Sequence, residues 1–224
     1  MRYIEFGSEG RQVSAIGLGC MRIAGMGGAT PMTRAEVSAH IHNALDCGIN
    51  LFDHSDVYSH GQAEAAFGEV LAAEPGLRDQ VFLQSKCGIV AGEYRYDYSR
   101  DYIIGAVDGI LSRLKTDHLD SLLLHRPDAL MDPDEVCSAF EELHRAGKVL
   151  DFGVSNMGRS QLEYLSRGLS MPIAANQVQL SIVHSPLIDA GFFFNTDLDE
   201  GIIRDLGTLD WCRMHGTAIQ TWSP

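Results

Sequence analysis

The sequence lacks the features that mark several broad classes of protein. Its five cysteines are widely spaced, with no CxxC pair and no cysteine–histidine pattern typical of zinc, so we expect reduced thiols, no bound metal and a cytoplasmic location. No apolar run reaches the about 18 residues that span a membrane. The opening residues "MRYIEFG" are not followed by the apolar core of a secretory signal peptide.

Basic residues are also scarce, since 17 Lys and Arg face 30 Asp and Glu, for a formal net charge of −13. Nucleic acids and anionic membranes need a basic face, so we expect neither as a partner. A small anionic cofactor is not excluded, because backbone amides and a few local cations suffice for it. With 45% hydrophobic residues in 224, the chain is long enough to bury a substantial core.

Short apolar runs alternate with amphipathic stretches along the chain, a pattern typical of parallel βαβ units. The predicted strands cover residues 14–20, 49–53, 80–86, 119–125, 149–156, 173–181 and 217–223. The predicted helices cover residues 33–48, 62–74, 99–114, 132–147, 158–168 and 199–216, with an irregular stretch before the last. Thr33 with Glu36 suits a capping box, and Asp132 with Pro133 suits a helix start.

The alternation favours a closed (β/α)8 barrel, a TIM barrel, over an open nucleotide-binding sheet. An open sheet predicts GxGxxG after its first strand, whereas "GLGCMR" lacks the third glycine. The opening "YIEFG…QVSAI" suits a hairpin on the barrel floor. Because the count stops at seven strands and such barrels need about 250 residues, we expect residues 1–224 to form a single barrel domain that lacks its eighth unit. Either the sequence is a fragment, which we favour, or the barrel is open.

Polar residues end the predicted strands, where parallel barrels place their chemistry. These residues are Asp53, Lys86, His125, Asn156, Gln177 and Trp222, with Tyr58 in the loop after Asp53. A tyrosine, with a reference pKa of about 10, needs a nearby cation to release its proton at neutral pH. Lys86 supplies that cation, Asp53 holds it, and His125 donates to an oxygen, so the set suits protonation of a carbonyl. For the intervening His54 and Asp56 we favour a loop-capping role.

The chain resembles the aldo-keto reductases, and most closely bacterial members whose fourth strand ends in "HRPD". The resemblance covers about residues 16–224 in the segments "GLGCM", "FDHSDVYSHGQAEAAFGEVL", "FLQSKCG", "DSLLLHRPD", "GKVLDFGVSN", "NQVQLS" and "WSP". It implies a (β/α)8 barrel that reduces an aldehyde or ketone by hydride transfer. The cofactor it implies is NADP(H), with NAD(H) left open.

The resemblance also implies a role for individual residues. Tyr58 is expected to be the general acid, tuned by Lys86 and Asp53, while His125 orients the substrate carbonyl. Ser155, Asn156 and Gln177 are expected to bond the nicotinamide carboxamide, and Trp222 to stack on the nicotinamide ring. The full set of expected cofactor-binding residues is Cys20, Met21, Asp53, Ser155, Asn156, Gln177, Trp222, Ser223 and Pro224.

Two other functions fit parts of the sequence. The potassium-channel β subunits resemble this family yet act mainly on a partner protein, so a cofactor-binding regulatory or inactive module is an alternative. The histidines His54, His60, His125 and His184 suggest a metal-dependent hydrolase, but no HxH pair ends a strand. The expected partner is a small carbonyl compound, and the expected protein is a monomer or a weak homo-oligomer.

Overall fold

The computed structural model describes residues 1–93, 95–192 and 207–224. Its β-strands are β1 Tyr3–Phe6, β2 Arg11–Ser14, β3 Gly17–Gly19, β4 Leu51–Asp53, β5 Phe82–Cys87, β6 Leu119–Leu124, β7 Val149–Ser155, β8 Ile173–Gln179 and β9 Ala218–Trp222. Its α-helices are α1 Arg34–Asp46, α2 Gln62–Ala73, α3 Arg100–Leu114, α4 Pro133–Arg145, α5 Arg159–Ser166, α6 Pro186–Phe192 and α7 Thr208–Met214. Strands and helices therefore alternate, as the sequence pattern predicts.

The seven strands from β3 to β9 form one sheet in chain order. Every neighbouring pair is parallel, so all carboxyl ends lie at one edge, where the site is expected. The sheet curls into part of a barrel, and β3 and β9 are its end strands within the described residues. The expected barrel-type α/β fold is thus confirmed, with seven parallel strands in the sheet of the described residues.

The predicted hairpin is also confirmed, since β1 and β2 pair antiparallel. It covers the amino-terminal ends of the sheet strands. The Phe6 ring meets the Phe82 ring of β5 edge-on, with centroids 5.1 Å apart. Arg11 of β2 forms ion pairs with Asp120 of β6 and Asp151 of β7. The barrel floor is therefore closed by aromatic packing and by a charged link.

The helices start where the sequence predicts. Thr33 caps α1 in a complete capping box with Glu36, and Asp132 caps α4 by accepting a hydrogen bond of 3.0 Å from the Asp134 amide. Helices α1 to α5 then bury apolar residues; in α4, for example, Val136, Phe140 and Leu143 are buried. No helix in the described ranges has the length and apolarity needed to cross a bilayer.

The largest differences from the predicted boundaries are in three places. The first sheet strand begins at Gly17, not at residue 14, because Ser14 belongs to the hairpin strand β2. The predicted irregular stretch contains the short helix α6. Of the predicted helix 199–216, residues 199–206 lie outside the described residues, and the described part begins after Gly207, whose φ of 84° is left-handed.

Candidate active site

The carboxyl ends of β4 and β5 hold an ion pair between Asp53 and Lys86. The Lys86 ammonium donates to both Asp53 carboxylate oxygens, at 2.7 and 2.6 Å, and to the His54 carbonyl at 2.8 Å. Lys86 is only 1% exposed, so its stem passes through the barrel interior. All three ammonium hydrogens have acceptors, which fixes the position of the charge.

Both members of this pair are ionised. Burial raises the pKa of Asp53, but the Lys86 charge and hydrogen bonds from Gln84 and Gln177 bring it below the ordinary value. Burial lowers the pKa of Lys86, and the Asp53 charge, together with Tyr58 and the hydrogen bonds to Asp53, more than reverses that effect. The barrel interior therefore holds a fixed positive charge that is balanced by its own partner.

Tyr58 lies beside this charge, as the sequence predicts. The Lys86 Nζ is 5.2 Å from the centroid of the Tyr58 ring. Burial raises the pKa of Tyr58 above its ordinary value, and the Lys86 charge opposes this increase without cancelling it. Tyr58 consequently holds its proton here, and it can donate that proton to an oxygen that becomes more basic than the phenolate.

The loop that positions Tyr58 turns sharply. Ser59 and His60 have φ values of 49° and 55°, and Gly61, which precedes α2, has a φ of 82°. Three successive left-handed residues are unusual, and such conformations are found mainly where the surrounding structure enforces them. The turn directs the chain back from the barrel mouth into α2 and leaves Tyr58 at the site.

His125 completes the predicted catalytic group. Its ring stands edge-on to Tyr58, with centroids 6.0 Å apart and planes at 84°. Its Nδ1 lies 2.9 Å from the Ser55 hydroxyl. Burial, with the charges of Lys86 and Arg126, lowers the pKa of His125 to about 3, so the imidazole is neutral and one ring nitrogen is a donor.

The structure gives His54 different surroundings from those predicted. His54 is fully buried and meets the Phe67 ring edge-on, with centroids 4.7 Å apart. Neither of its ring nitrogens has a hydrogen-bond partner within the described residues, so the capping prediction is wrong for His54. Asp56 contacts Ser55, with 3.2 Å between the carboxylate and hydroxyl oxygens.

Four residues expected to bind the cofactor lie together at the ends of β7, β8 and β9. The Trp222 indole donates to the Asn156 side-chain oxygen at 3.0 Å, and the Asn156 amide donates to Ser155 at 2.8 Å. Ser155 in turn donates to the Gln177 backbone at 2.9 Å. Asn156 has a left-handed φ of 59°. This arrangement of amide and hydroxyl groups beside an indole fits an aromatic ring that carries a carboxamide.

The remaining expected cofactor residues lie at the two end strands. The Cys20 amide donates to the Asp53 carbonyl at 2.9 Å, and burial keeps the pKa of its thiol well above the ordinary value. Met21 follows in a turn and is half-buried. Ser223 and Pro224 follow Trp222 and are exposed. All four lie at the carboxyl edge of the sheet.

Two glutamines not identified from the sequence, Gln84 and Gln220, connect Asp53 with β9. Gln84 donates to Asp53 at 2.7 Å and to Gln220 at 2.8 Å, and Gln220 returns a hydrogen bond of 2.9 Å. Gln177 donates to Asp53 at 3.2 Å. Gln84 and Gln220 lie two residues before Lys86 and Trp222, so strand alternation places each pair on one face. Both glutamines were therefore predictable from this spacing of two residues.

The histidines are dispersed. His54 is buried below the site, His125 bonds Ser55, and His60 and His184 are exposed. Across the described ranges no three His, Cys, Asp or Glu side chains are grouped so as to hold a metal ion.

Sequence comparison identifies relatives along almost the whole chain. The family model described as "Aldo/keto reductase family" matches residues 15–223. Oxidoreductase YdhF of Escherichia coli (strain K12) is 46% identical over 165 residues, or 70% of this chain and 55% of YdhF. A 6-dehydroglucose reductase of Novosphingobium aromaticivorans is 38% identical over 218 residues, or 95% of this chain and 68% of that enzyme. The chain thus spans between about half and two thirds of these two relatives.

Solved structures show the same fold. The thermostable aldo-keto reductase Tm1743, solved with the inhibitor epalrestat, matches with a TM-score of 0.77 and 28% identity over 100% of this chain and 73% of its own. The holo form of the aldo-keto reductase AKR11C1 from Bacillus halodurans matches with a TM-score of 0.75 and 25% identity over 98% of this chain and 65% of its own.

Proposed function

The chain belongs to the aldo/keto reductase family, and from this premise we propose that it reduces an aldehyde or ketone to an alcohol with NAD(P)H. One observation carries the proposal: the buried Asp53–Lys86 ion pair lies against Tyr58, with His125 beside the same phenol. A fixed cation next to a buried tyrosine suits a proton donor. We further propose a cytoplasmic, single-domain protein whose partner is a small molecule, as a monomer or weak homo-oligomer.

In this proposal Tyr58 gives its phenolic proton to the substrate oxygen as negative charge develops there. Lys86 stabilises the phenolate that forms, and Asp53 keeps Lys86 in place, so no charged side chain has to move during the reaction. Neutral His125 donates a hydrogen bond that orients the carbonyl. A reduced nicotinamide bound at this site would supply the hydride.

The side chains of Ser155, Asn156, Gln177 and Trp222 would hold the nicotinamide. Their amides and hydroxyl match a carboxamide, and the Trp222 indole offers a stacking face. We propose backbone contacts from Cys20 and Met21, and further contacts from Asp53, Ser223 and Pro224. NADP(H) is the proposed cofactor on the strength of the family, and NAD(H) is the alternative to be tested beside it.

Nucleotide binding is testable by fluorescence, because the chain has only two tryptophans. Trp211 is 4% exposed and stacks on His215 at 4.1 Å, whereas Trp222 is at the proposed site. We expect NADPH to quench the fluorescence in a saturable way, and more tightly than NADH. The quenching should be largely lost in Trp222→Phe. Equal quenching in that variant would contradict stacking on Trp222.

Turnover tests the proton donor. We expect Tyr58→Phe to lose about 10²–10⁴-fold in carbonyl reduction while the quenching by NADPH persists. The matched control is Tyr102→Phe, since the Tyr102 hydroxyl donates away from the reacting group, to the Ile89 carbonyl at 3.2 Å. Activity of Tyr58→Phe within tenfold of the parent chain would remove Tyr58 from the acid role.

The substrate panel should include oxidised sugars beside simple aldehydes and ketones, because two relatives are named 6-dehydroglucose reductase. Reduction of a sugar carbonyl in preference to the others would define the substrate class. Tight nucleotide binding without turnover of any carbonyl would favour the regulatory module.

A further inference from the structure

Ser55 lies between two titratable side chains at the site. Its hydroxyl oxygen is 2.9 Å from His125 Nδ1 and 3.2 Å from a carboxylate oxygen of Asp56. A longer contact of 3.4 Å reaches the Lys86 carbonyl. Ser55 is fully buried, so no bulk water competes for it. A hydroxyl has a single hydrogen, and it therefore donates to only one of these neighbours at a time.

The direction of this chain of hydrogen bonds depends on the proton of Asp56. When Asp56 is ionised, Ser55 donates to the carboxylate, because charge-assisted hydrogen bonds are the stronger ones. Ser55 then accepts from His125 Nδ1–H, and His125 Nε2 has no hydrogen. When Asp56 is protonated, it donates to Ser55, Ser55 donates to Nδ1, and the imidazole hydrogen moves to Nε2.

We propose that Asp56 is a positioning residue that acts through Ser55 to select which nitrogen of His125 carries the hydrogen. The proposal rests on the proposed function, in which His125 donates to the substrate carbonyl. Because Nδ1 faces Ser55, Nε2 is the nitrogen left for the substrate. Protonated Asp56 thus prepares His125 to donate, and ionised Asp56 turns Nε2 into an acceptor that cannot bind a carbonyl oxygen.

The surroundings of Asp56 place this change near neutral pH. Burial and the Glu64 carboxylate raise the pKa of Asp56 to about 7. Arg113 opposes this increase only in part, because its guanidinium is paired with Glu64 at 2.7 Å. Asp56 lines a cavity of about 530 Å³. The other titratable groups that face Asp56 or line this cavity are Cys87, Tyr102, His60 and Asp101.

The groups around His125 keep it neutral throughout this change. Burial disfavours the imidazolium most, the charges of Lys86 and Arg126 add to this effect, and the Asp53 charge opposes it, so the pKa of His125 is lowered to about 3. His125 therefore does not itself titrate near pH 7. The effect of pH on His125 is a move of one hydrogen between its two nitrogens, and that move is visible by spectroscopy.

Nitrogen NMR of histidine-labelled protein tests the proposal without relying on activity. We expect His125 to carry its hydrogen on Nε2 at about pH 5.5 and on Nδ1 at about pH 8.5, with a midpoint near 7. The His125→Gln variant identifies its signals. In Asp56→Asn and in Ser55→Ala the tautomer should no longer change with pH. The matched control Asp101→Asn, which alters a carboxylate of the same cavity that does not contact Ser55, should keep the change.

Kinetics give the second measurement. As the pH rises through about 7, the KM for a carbonyl substrate should increase roughly tenfold, the equivalent of one hydrogen bond, and Asp56→Asn should abolish this increase. A His125 tautomer that is constant from about pH 5.5 to about 8.5 in the parent chain overturns the proposal, as does a change that persists in Asp56→Asn. A tautomer change without any carbonyl turnover would instead overturn the proposed function and leave the coupling intact.

Discussion

At the scale of single residues, the candidate site depends on buried side chains whose surroundings fix whether they are ionised or neutral. Lys86 is buried as a cation only because Asp53 accepts two of its hydrogens and the His54 carbonyl the third. An unpaired buried charge costs several kcal/mol, whereas removal of both partners costs much less. The ion pair is thus a structural requirement of the fold as well as a proposed part of the chemistry.

Removal of Lys86 should therefore destabilise the chain. We expect Lys86→Met to lower the free energy of unfolding by about 3–5 kcal/mol at neutral pH, because Asp53 is left without a counter-charge. Asp53→Asn in the same chain should restore part of the loss. Urea denaturation of the two single variants and the double variant measures the coupling. Losses that simply add would show that the pair is not coupled.

His54 illustrates the opposite case, a residue that must stay neutral. Burial lowers its pKa to about 3, against about 6.5 in an unfolded chain. Below about pH 6.5 the unfolded chain binds a proton that the folded chain does not. The stability contributed by neutral His54 is therefore fully present above about pH 6.5 and decreases as the pH falls towards about 3.

Replacement of His54 by leucine should reduce the acid sensitivity of the fold. Between about pH 7.5 and about pH 5, we expect the parent chain to lose about 2 kcal/mol more unfolding free energy than His54→Leu. Asp56 and Glu64 titrate in both proteins, so the difference isolates His54. Replacement of the exposed His184 by leucine is the control and should keep the parent pH dependence. Parallel pH profiles for His54→Leu and the parent would be contrary to this expectation.

At the scale of elements, hydrophobic periodicity was sufficient to predict the order and type of the strands and helices. It also predicted which strand ends lie together, and hence the contact of Asp53 with Lys86. It did not predict α6, because a helix of seven residues has too few turns to show a periodic pattern. Gln84 and Gln220 were missed because a hydrogen-bonded polar pair inside the sheet has no sequence pattern except strand alternation. The direction of the Tyr58 pKa depends on burial, which one sequence does not give.

The loop after β5 depends on one glycine. Gly88 has a φ of 109°, and a β-carbon there would lie 1.9 Å from the Tyr98 ring. Tyr98 in turn donates to the Arg126 carbonyl at 2.6 Å and accepts from the Arg126 amide at 2.9 Å. The glycine therefore lets Tyr98 hold the loop that follows His125.

Gly88→Ala should displace Tyr98 and destabilise the fold by about 2 kcal/mol or more, through both backbone strain and overpacking. Gly92→Ala is the matched control, because Gly92 lies in the same loop with a φ of 80° and has nothing within 4 Å of the added carbon. We expect Gly92→Ala to lose less stability, because backbone strain alone contributes there. Thermal unfolding of the two variants measures the difference, and equal losses would show that contact with Tyr98 is unimportant.

At the scale of the whole molecule, the carboxyl edge of the sheet carries the site and the amino edge carries the hairpin. Arg11 connects the hairpin to the sheet, with hydrogen bonds of 2.7 Å to the Asp120 carboxylate and 2.9 Å to the Asp120 carbonyl. Its second carboxylate partner, Asp151, also accepts from the Ser8 amide at 3.1 Å. The hairpin thus closes the floor by binding carboxylates from two neighbouring strands.

We expect Arg11→Met to lower the unfolding free energy by about 2–3 kcal/mol, because hydrogen bonds to charged groups are lost from a partly buried place. Lys148→Met is the control, since the Lys148–Asp108 pair is 37% and 53% exposed and such pairs contribute about 1 kcal/mol or less. Hydrogen exchange should show the hairpin amides losing protection before those of β5 and β6. Uniform loss of protection across the sheet would instead mean that the hairpin and the barrel unfold as one unit, with Arg11 part of a single cooperative core.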